Sequence, residues 1–164
     1  MSVLKILVLL LVVSFEKPSD ECSKIFLIRH AEKVRTDKSD RDPDLNNKGF
    51  IRAENWKDYF FDKDISKIYS TNYRRTVKTV KPLAESKNLE IIIYSSDDIV
   101  YQDFLDSSIG ENTVVVGHSN TIPDFVNNLI KEDHYDQIDD LTNSNLYIVS
   151  VCNSSITHKL ITVD

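Results

Sequence analysis

Ile25-Phe26-Leu27-Ile28-Arg29-His30 is the stretch that decides the fold. Four successive apolar residues have the length of a buried strand, and the run stops at a guanidinium and an imidazole. Side chains alternate along a strand, so an unbroken apolar run needs cover on both faces of its sheet. Outward from it the same units recur. Residues 65–69, 91–94 and 113–116 read as further strands, the last strongly β-branched. Helices fit between them. One is capped by Asn46 or Asn47 and runs to about Phe61, with Ala53, Trp56, Tyr59 and Phe60 on one face; others span 73–87 and 98–108. Residues 34–47 are polar, with Asp42-Pro43-Asp44 as turn chemistry, and read as a long loop. Gly117-His118-Ser119-Asn120 turns into a helix ending near Leu129, and strands at 146–151 and 156–163 meet at Asn153-Ser154-Ser155. Alternating strands and helices predict an α/β protein: a three-layer αβα sandwich around a mostly parallel central sheet of about six strands.

A length of 164 residues suits one domain with a real core. The net charge of −6 argues against a nucleic-acid partner, so an anionic substrate must be met by a local cationic pocket. The N-terminus differs from the rest. Lys5 is followed by the apolar residues 6–13, and then by the polar, proline-containing segment 15–21. That block is shorter than the ~18 residues of a membrane span, so no stable span is expected. Residues 1–21 therefore read as a secretory signal or N-terminal apolar segment, with a buried first strand as the lesser alternative, and residues 22–164 as the domain. A signal implies a periplasmic or extracellular location, and its absence a cytoplasmic one. No small-x-small triplet and no lipoprotein box precedes Cys22. Export would allow Cys22 and Cys152 to pair; two inert thiols are the equal alternative.

Ligands of such sheets bind outside the carboxyl ends of the strands. Three strands here lead into polar groups: Arg29-His30, Ser70-Thr71-Asn72-Tyr73-Arg74-Arg75, and Gly117-His118-Ser119. Arginine offers a planar fork for phosphate oxygens, and neutral histidine can act as a nucleophile. The composition of this edge is that of a phosphoryl-transfer pocket.

Four motifs in order carry a resemblance. Phe26-Leu27-Ile28-Arg29-His30-Ala31-Glu32-Lys33 resembles the R-H-G/A signature of the histidine phosphatase (phosphoglycerate mutase-like) superfamily. Asp42-Pro43-Asp44-Leu45-Asn46-Asn47-Lys48-Gly49 with Arg52-Ala53, Tyr69-Ser70-Thr71 with Arg75 and Thr79, and Val116-Gly117-His118-Ser119-Asn120 resemble its later segments. The resemblance spans residues 24–130 and points to the small, core-only branch. It implies His30 as the nucleophile that forms a phosphohistidine. Arg29, Arg75 and His118 would bind the phosphate and stabilise its transition state. No metal and no cofactor is implied.

Each assignment has a plainer rival. His118 could belong to a turn before a helix capped by Ser119 or Asn120, and the arginines to a solvated face with Lys78 and Lys81. Arg74 sits one residue off the motif and reads as a surface group, while His134 and His158 match nothing and read as exposed. The family usually places a carboxylic acid after the third strand to protonate the leaving oxygen. Asp97, Asp98, Asp103 and Asp106 lie there. Asp98 is the choice, beside a helix start, although Asp97 or Asp98 could equally cap that helix. Glu32 is a weaker candidate, or a partner for Lys33 or Arg35.

A core-only chain lacks the insertions of the mutases, so its pocket should be open and its phosphohistidine hydrolysed. The expected activity is that of a metal-independent, histidine acid-type phosphomonoester hydrolase acting on a small phosphorylated substrate. The alternatives are a protein phosphohistidine phosphatase and a non-catalytic phosphate-binding module of the same fold.

Overall fold

A computed structural model describes residues 22–153 and 155–164; the expected signal, residues 1–21, lies outside them. The chain runs β1 (Ser23–Arg29), α1 (Asn47–Tyr59), β2 (Lys67–Thr71), α2 (Arg74–Lys87), β3 (Ile91–Tyr94), α3 (Tyr101–Ser107), β4 (Asn112–Gly117), α4 (Thr121–Ile130), β5 (Asn145–Cys152) and β6 (Ser155–Thr162). The six strands form one sheet in the order β3-β2-β4-β1-β5-β6. β3, β2, β4 and β1 are parallel neighbours, while β1–β5 and β5–β6 are antiparallel.

Burial explains why the stretch Ile25 to Ile28 of β1 is apolar without a break. Phe26 and Ile28 join Trp56 of α1, Phe60 just after it, and Val80 and Leu83 of α2 on one side of the sheet. Ile25 and Leu27 face Ile122, Phe125 and Leu129 of α4, with Phe104 of α3, on the other. These two cores are the outer spaces of a three-layer αβα sandwich. A Leu-sized side chain buried in either contributes roughly 1.5–3 kcal/mol. β6 lies at the open edge, where its residues alternate between exposed and half-buried.

Local chemistry sets the ends of the elements. Asn46 caps α1, its side-chain oxygen accepting the Gly49 N–H at 3.0 Å. Gly49 is required by proximity: a Cβ there would stand 2.1 Å from the carbonyl oxygen of Glu32. This contact lets the first turn of α1 lie against the segment that follows His30. Residues 34–44 also pack closer than an unstructured loop, tied by Val34 N–H to Asp44 O and by the Lys33–Leu45 bridge. α3 starts at Tyr101 rather than at 98, because the Asp98 N–H closes a turn onto Ser95 O. Its N-cap is Val100, so neither Asp97 nor Asp98 caps it. Cys22 and Cys152 form a disulfide that joins the start of β1 to the end of β5, with Cα atoms 4.4 Å apart.

Candidate active site

Parallel pairing of β4 with β1 on one side and β2 on the other brings three strand ends to one edge. Arg29 is in register with Gly117, and the His30 N–H donates to Gly117 O at 3.0 Å. His30 and His118 consequently face each other, with ring centroids 5.6 Å apart and planes at 64°. Arg75, in the first turn of α2, brings its Nη2 to 3.5 Å from His118 Nδ1. Arg29, His30, Arg75 and His118 line one cavity of about 650 Å³, together with Lys33, Thr71, Tyr73, Asp97 and Asp140 among others.

Hydrogen bonds fix the histidine tautomers. His30 Nδ1 lies 2.7 Å from Ala31 O. A carbonyl only accepts, so Nδ1 carries the proton and Nε2 keeps the lone pair of a nucleophile. The Thr71 hydroxyl donates to Thr76 and so accepts from His118 Nε2–H at 3.0 Å. His118 Nδ1 is thereby presented to Arg75. Burial, reinforced by the charges of Arg29 and Arg75, pushes His30 down to about 3. Burial and the same two guanidiniums lower His118 to about 4. Both rings are neutral near pH 7, the state that nucleophilic attack requires of His30.

A loop that reads as featureless in sequence holds the other end of the site. Arg29 Nη1 donates to the backbone oxygens of Asp139 at 2.8 Å and Thr142 at 3.0 Å, and Nη2 donates to Asp140 Oδ1 at 2.8 Å. Asn143 Nδ2 donates to His30 O at 2.8 Å. Asp140 also pairs with Arg35, and these two partners, Arg35 first, hold its carboxyl at about 2. Arg75 is fastened by Asp42 at 3.3 Å and stacks its guanidinium 4.4 Å above the Tyr73 ring. Thr79 bridges both halves: its Oγ1 accepts the Ala31 N–H at 2.8 Å and donates to Arg75 O at 2.7 Å.

The structure therefore brings together Arg29, His30, Arg75 and His118. It does not bring Asp98 to them. Asp98 is exposed and outside the cavity lining, because the turn over 95–98 puts Asp97 on the wall instead. Arg74 is exposed and bound to Asp42. Glu32 pairs with Arg52 and Lys48 rather than with Lys33 or Arg35. His134 is exposed and His158 half-buried, and neither lines this cavity. Sequence reasoning missed Asp140 and Asn143. A backbone carbonyl or a lone Asn in a polar loop carries no periodic signal, so nothing local marks them.

The profile of the histidine phosphatase superfamily (branch 1) matches residues 25–96, the segment holding Arg29, His30 and Arg75. Over that segment, which is under half of the chain, the sequence is similar to the histidine phosphatase superfamily. Solved structures agree in architecture. The protein histidine phosphatase SixA complexed with tungstate superposes with a TM-score of 0.66 at 14% identity, over 85% of this chain and 96% of that one. A mycobacterial glucosyl-3-phosphoglycerate phosphatase gives 0.66 at 13%, over 86% and 98%. Bacillus stearothermophilus YhfR gives 0.66 at 14%, over 82% and 94%. At such identities the likeness is one of fold. No curated protein matches the sequence significantly. Among the described residues, no helix is long and apolar enough to cross a membrane.

Proposed function

We propose that the chain is a metal-independent phosphomonoester hydrolase working through a phosphohistidine on His30. The observation that carries this reading is the His30 imidazole: neutral, with Nδ1–H spent on Ala31 O and Nε2 left as nucleophile, in a cavity shared with two guanidiniums. His30 Nε2 attacks phosphorus, the bond from phosphorus to the ester oxygen breaks, and the leaving oxygen takes a proton. Water then attacks the phosphohistidine, the P–N bond breaks, and inorganic phosphate leaves. Arg29 and Arg75 hold the non-bridging oxygens as negative charge spreads over them, and His118 joins them as a donor once the bound phosphate monoanion gives a proton to its Nδ1. We assign the proton donor to Asp97, since it lines the cavity and Asp98 does not.

The compartment bears on the substrate. The Cys22–Cys152 disulfide and the apolar start of the chain support export, because disulfides persist in oxidising compartments. An exported enzyme meets small phosphoesters. The match in length to SixA, a protein histidine phosphatase, favours the second reading, a phosphohistidine protein as substrate. Fractionation separates the two, since that substrate requires a cytoplasmic enzyme.

The test is hydrolysis of p-nitrophenyl phosphate in EDTA by the protein and by His30→Ala. Turnover that survives chelation and vanishes in the variant supports the reading. Equal background from both folded proteins sinks it in favour of a phosphate-binding module. Asp97→Asn should spare aryl phosphates, whose leaving groups need little acid, and slow alkyl phosphates by about 10²-fold or more.

A further inference from the structure

Away from the cavity, on the surface between the end of α4 and the edge strand β6, three side chains with metal-ligating atoms converge. Glu132, His134 and His158 place one such atom each within 4.8 Å of one another. We propose that they form a site for a single borderline divalent transition-metal ion, zinc foremost, separate from the phosphoryl-transfer pocket.

Two imidazoles and one carboxylate are a donor set suited to Zn²⁺, whereas Mg²⁺ and Ca²⁺ prefer oxygen throughout. The ligands come from different parts of the chain, Glu132 and His134 from the segment after α4 and His158 from β6, where it pairs with Val149. Tetrahedral ligands at bonds of about 2.0–2.1 Å sit roughly 3.3–3.5 Å apart. Closing the gap takes a shift of about 1–1.5 Å, within reach of side-chain rotation because Glu132 and His134 are exposed.

The surroundings hold the donors in place. The Asn127 side chain of α4 grips the segment by four bonds: its Oδ1 accepts the N–H groups of His134 and Tyr135, and its Nδ2 donates to Tyr135 O at 2.9 Å and to Asp133 Oδ1 at 3.4 Å. Tyr135 packs edge-on against Tyr147 at 4.9 Å, which fixes its hydroxyl. That hydroxyl lies 2.8 Å from His158 Nδ1. With Nδ1–H donating to the hydroxyl oxygen, His158 keeps its Nε2 lone pair for a metal, the usual outer-sphere arrangement of a ligating histidine. The His134 ring stands edge-on to Tyr135 at 4.6 Å and to His158 at 4.8 Å. Among the described residues, no other group of three His, Cys, Asp or Glu side chains meets this spacing.

Three protein ligands leave an open position for water, so the bound ion would stay exchangeable. It would also clamp the root of the loop whose far end holds Arg29 through Asp139, Asp140 and Thr142. Zinc therefore raises stability without joining the phosphatase chemistry.

The experiment is calorimetric titration of the metal-stripped protein with Zn²⁺, beside His134→Ala, His158→Ala and His118→Asn. One equivalent should bind to the parent and to His118→Asn, and binding should weaken at least tenfold in each of the first two variants. At one hundred times the dissociation constant, zinc should raise the melting temperature of the parent by roughly 5–10 °C and leave the doubly substituted protein unmoved. His134 is exposed, so His134→Ala decides the question even if His158→Ala folds poorly. No binding to the parent overturns the site. So does binding that survives His134→Ala, or that is lost in His118→Asn alone.

Discussion

Thr79→Val offers the sharpest probe of how the proposed nucleophile, His30, is held. The substitution keeps the shape of the side chain and removes its hydroxyl, which in the parent accepts the Ala31 N–H and donates to Arg75 O. Ala31 and Thr79 are both fully buried, so water cannot replace the lost partner of the amide. Stranding a buried N–H costs about 1–3 kcal/mol; the bond to Arg75 O adds little, since that carbonyl still serves the helix. A loss near 2 kcal/mol lowers the melting temperature of a chain this size by roughly 4–8 °C. The rate should fall further than stability suggests. The Ala31 carbonyl is what fixes the His30 tautomer, so a tilt of the Ala31 backbone displaces Nε2 from its line of attack. A displacement approaching 1 Å costs up to about 10²-fold. The assay is kcat and KM on an aryl phosphate, with Thr79→Ser alongside. The serine hydroxyl should restore most of kcat, with KM little changed in either variant. A valine variant as stable and as fast as the parent would refute the reasoning, and so would a serine variant as slow as the valine one.

Three other outcomes follow from the same geometry. Gly49→Ala, which intrinsic helix propensity would favour by about 1 kcal/mol, should instead destabilise the fold, because its Cβ meets Glu32 O at 2.1 Å; chemical denaturation reads the sign. Folding stability should fall with acid, since His30 and His118 stay neutral in the fold down to about 3 and about 4 while the unfolded chain takes up protons below 6.5. The unfolded state binds the extra protons, so stability is present above pH 6.5 and is lost towards pH 4. His118→Asn should reduce that slope by about 1.4 kcal/mol per pH unit between pH 5.5 and 4.5, seen in urea titrations. Reducing the Cys22–Cys152 disulfide, which closes a separation of 130 residues, should cost about 2–4 kcal/mol and lower the melting temperature by on the order of 10 °C, measured with and without dithiothreitol.

Much of this molecule is legible in its sequence wherever a periodic pattern or a chain-local motif carries the information. The run from Ile25 to Ile28 announces a strand covered on both faces, and the structure divides its residues between two cores. Arg29, His30 and His118 stand at strand ends, which β-branched and apolar runs mark clearly. The antiparallel placement of β5 beside β1 is less visible, because it depends on which edge remains open after β4 has paired. The choice between Asp97 and Asp98 escaped for a smaller reason. A single turn over 95–98 decides which neighbour faces the cavity, and both residues have the same chemistry. The segment around Asp139 to Asn143 escaped because it acts largely through backbone oxygens, which every residue type supplies.

The disulfide has a consequence for survival after cleavage. Cys22 and Cys152 enclose nearly every loop of the domain, including the exposed stretch at 35–41 and the one at 131–142. A protease that cuts either loop opens the chain without releasing a piece. The halves remain one covalent molecule, with β1 still wedged between β4 and β5, and the nick shows as two bands only after a thiol has been added to the gel.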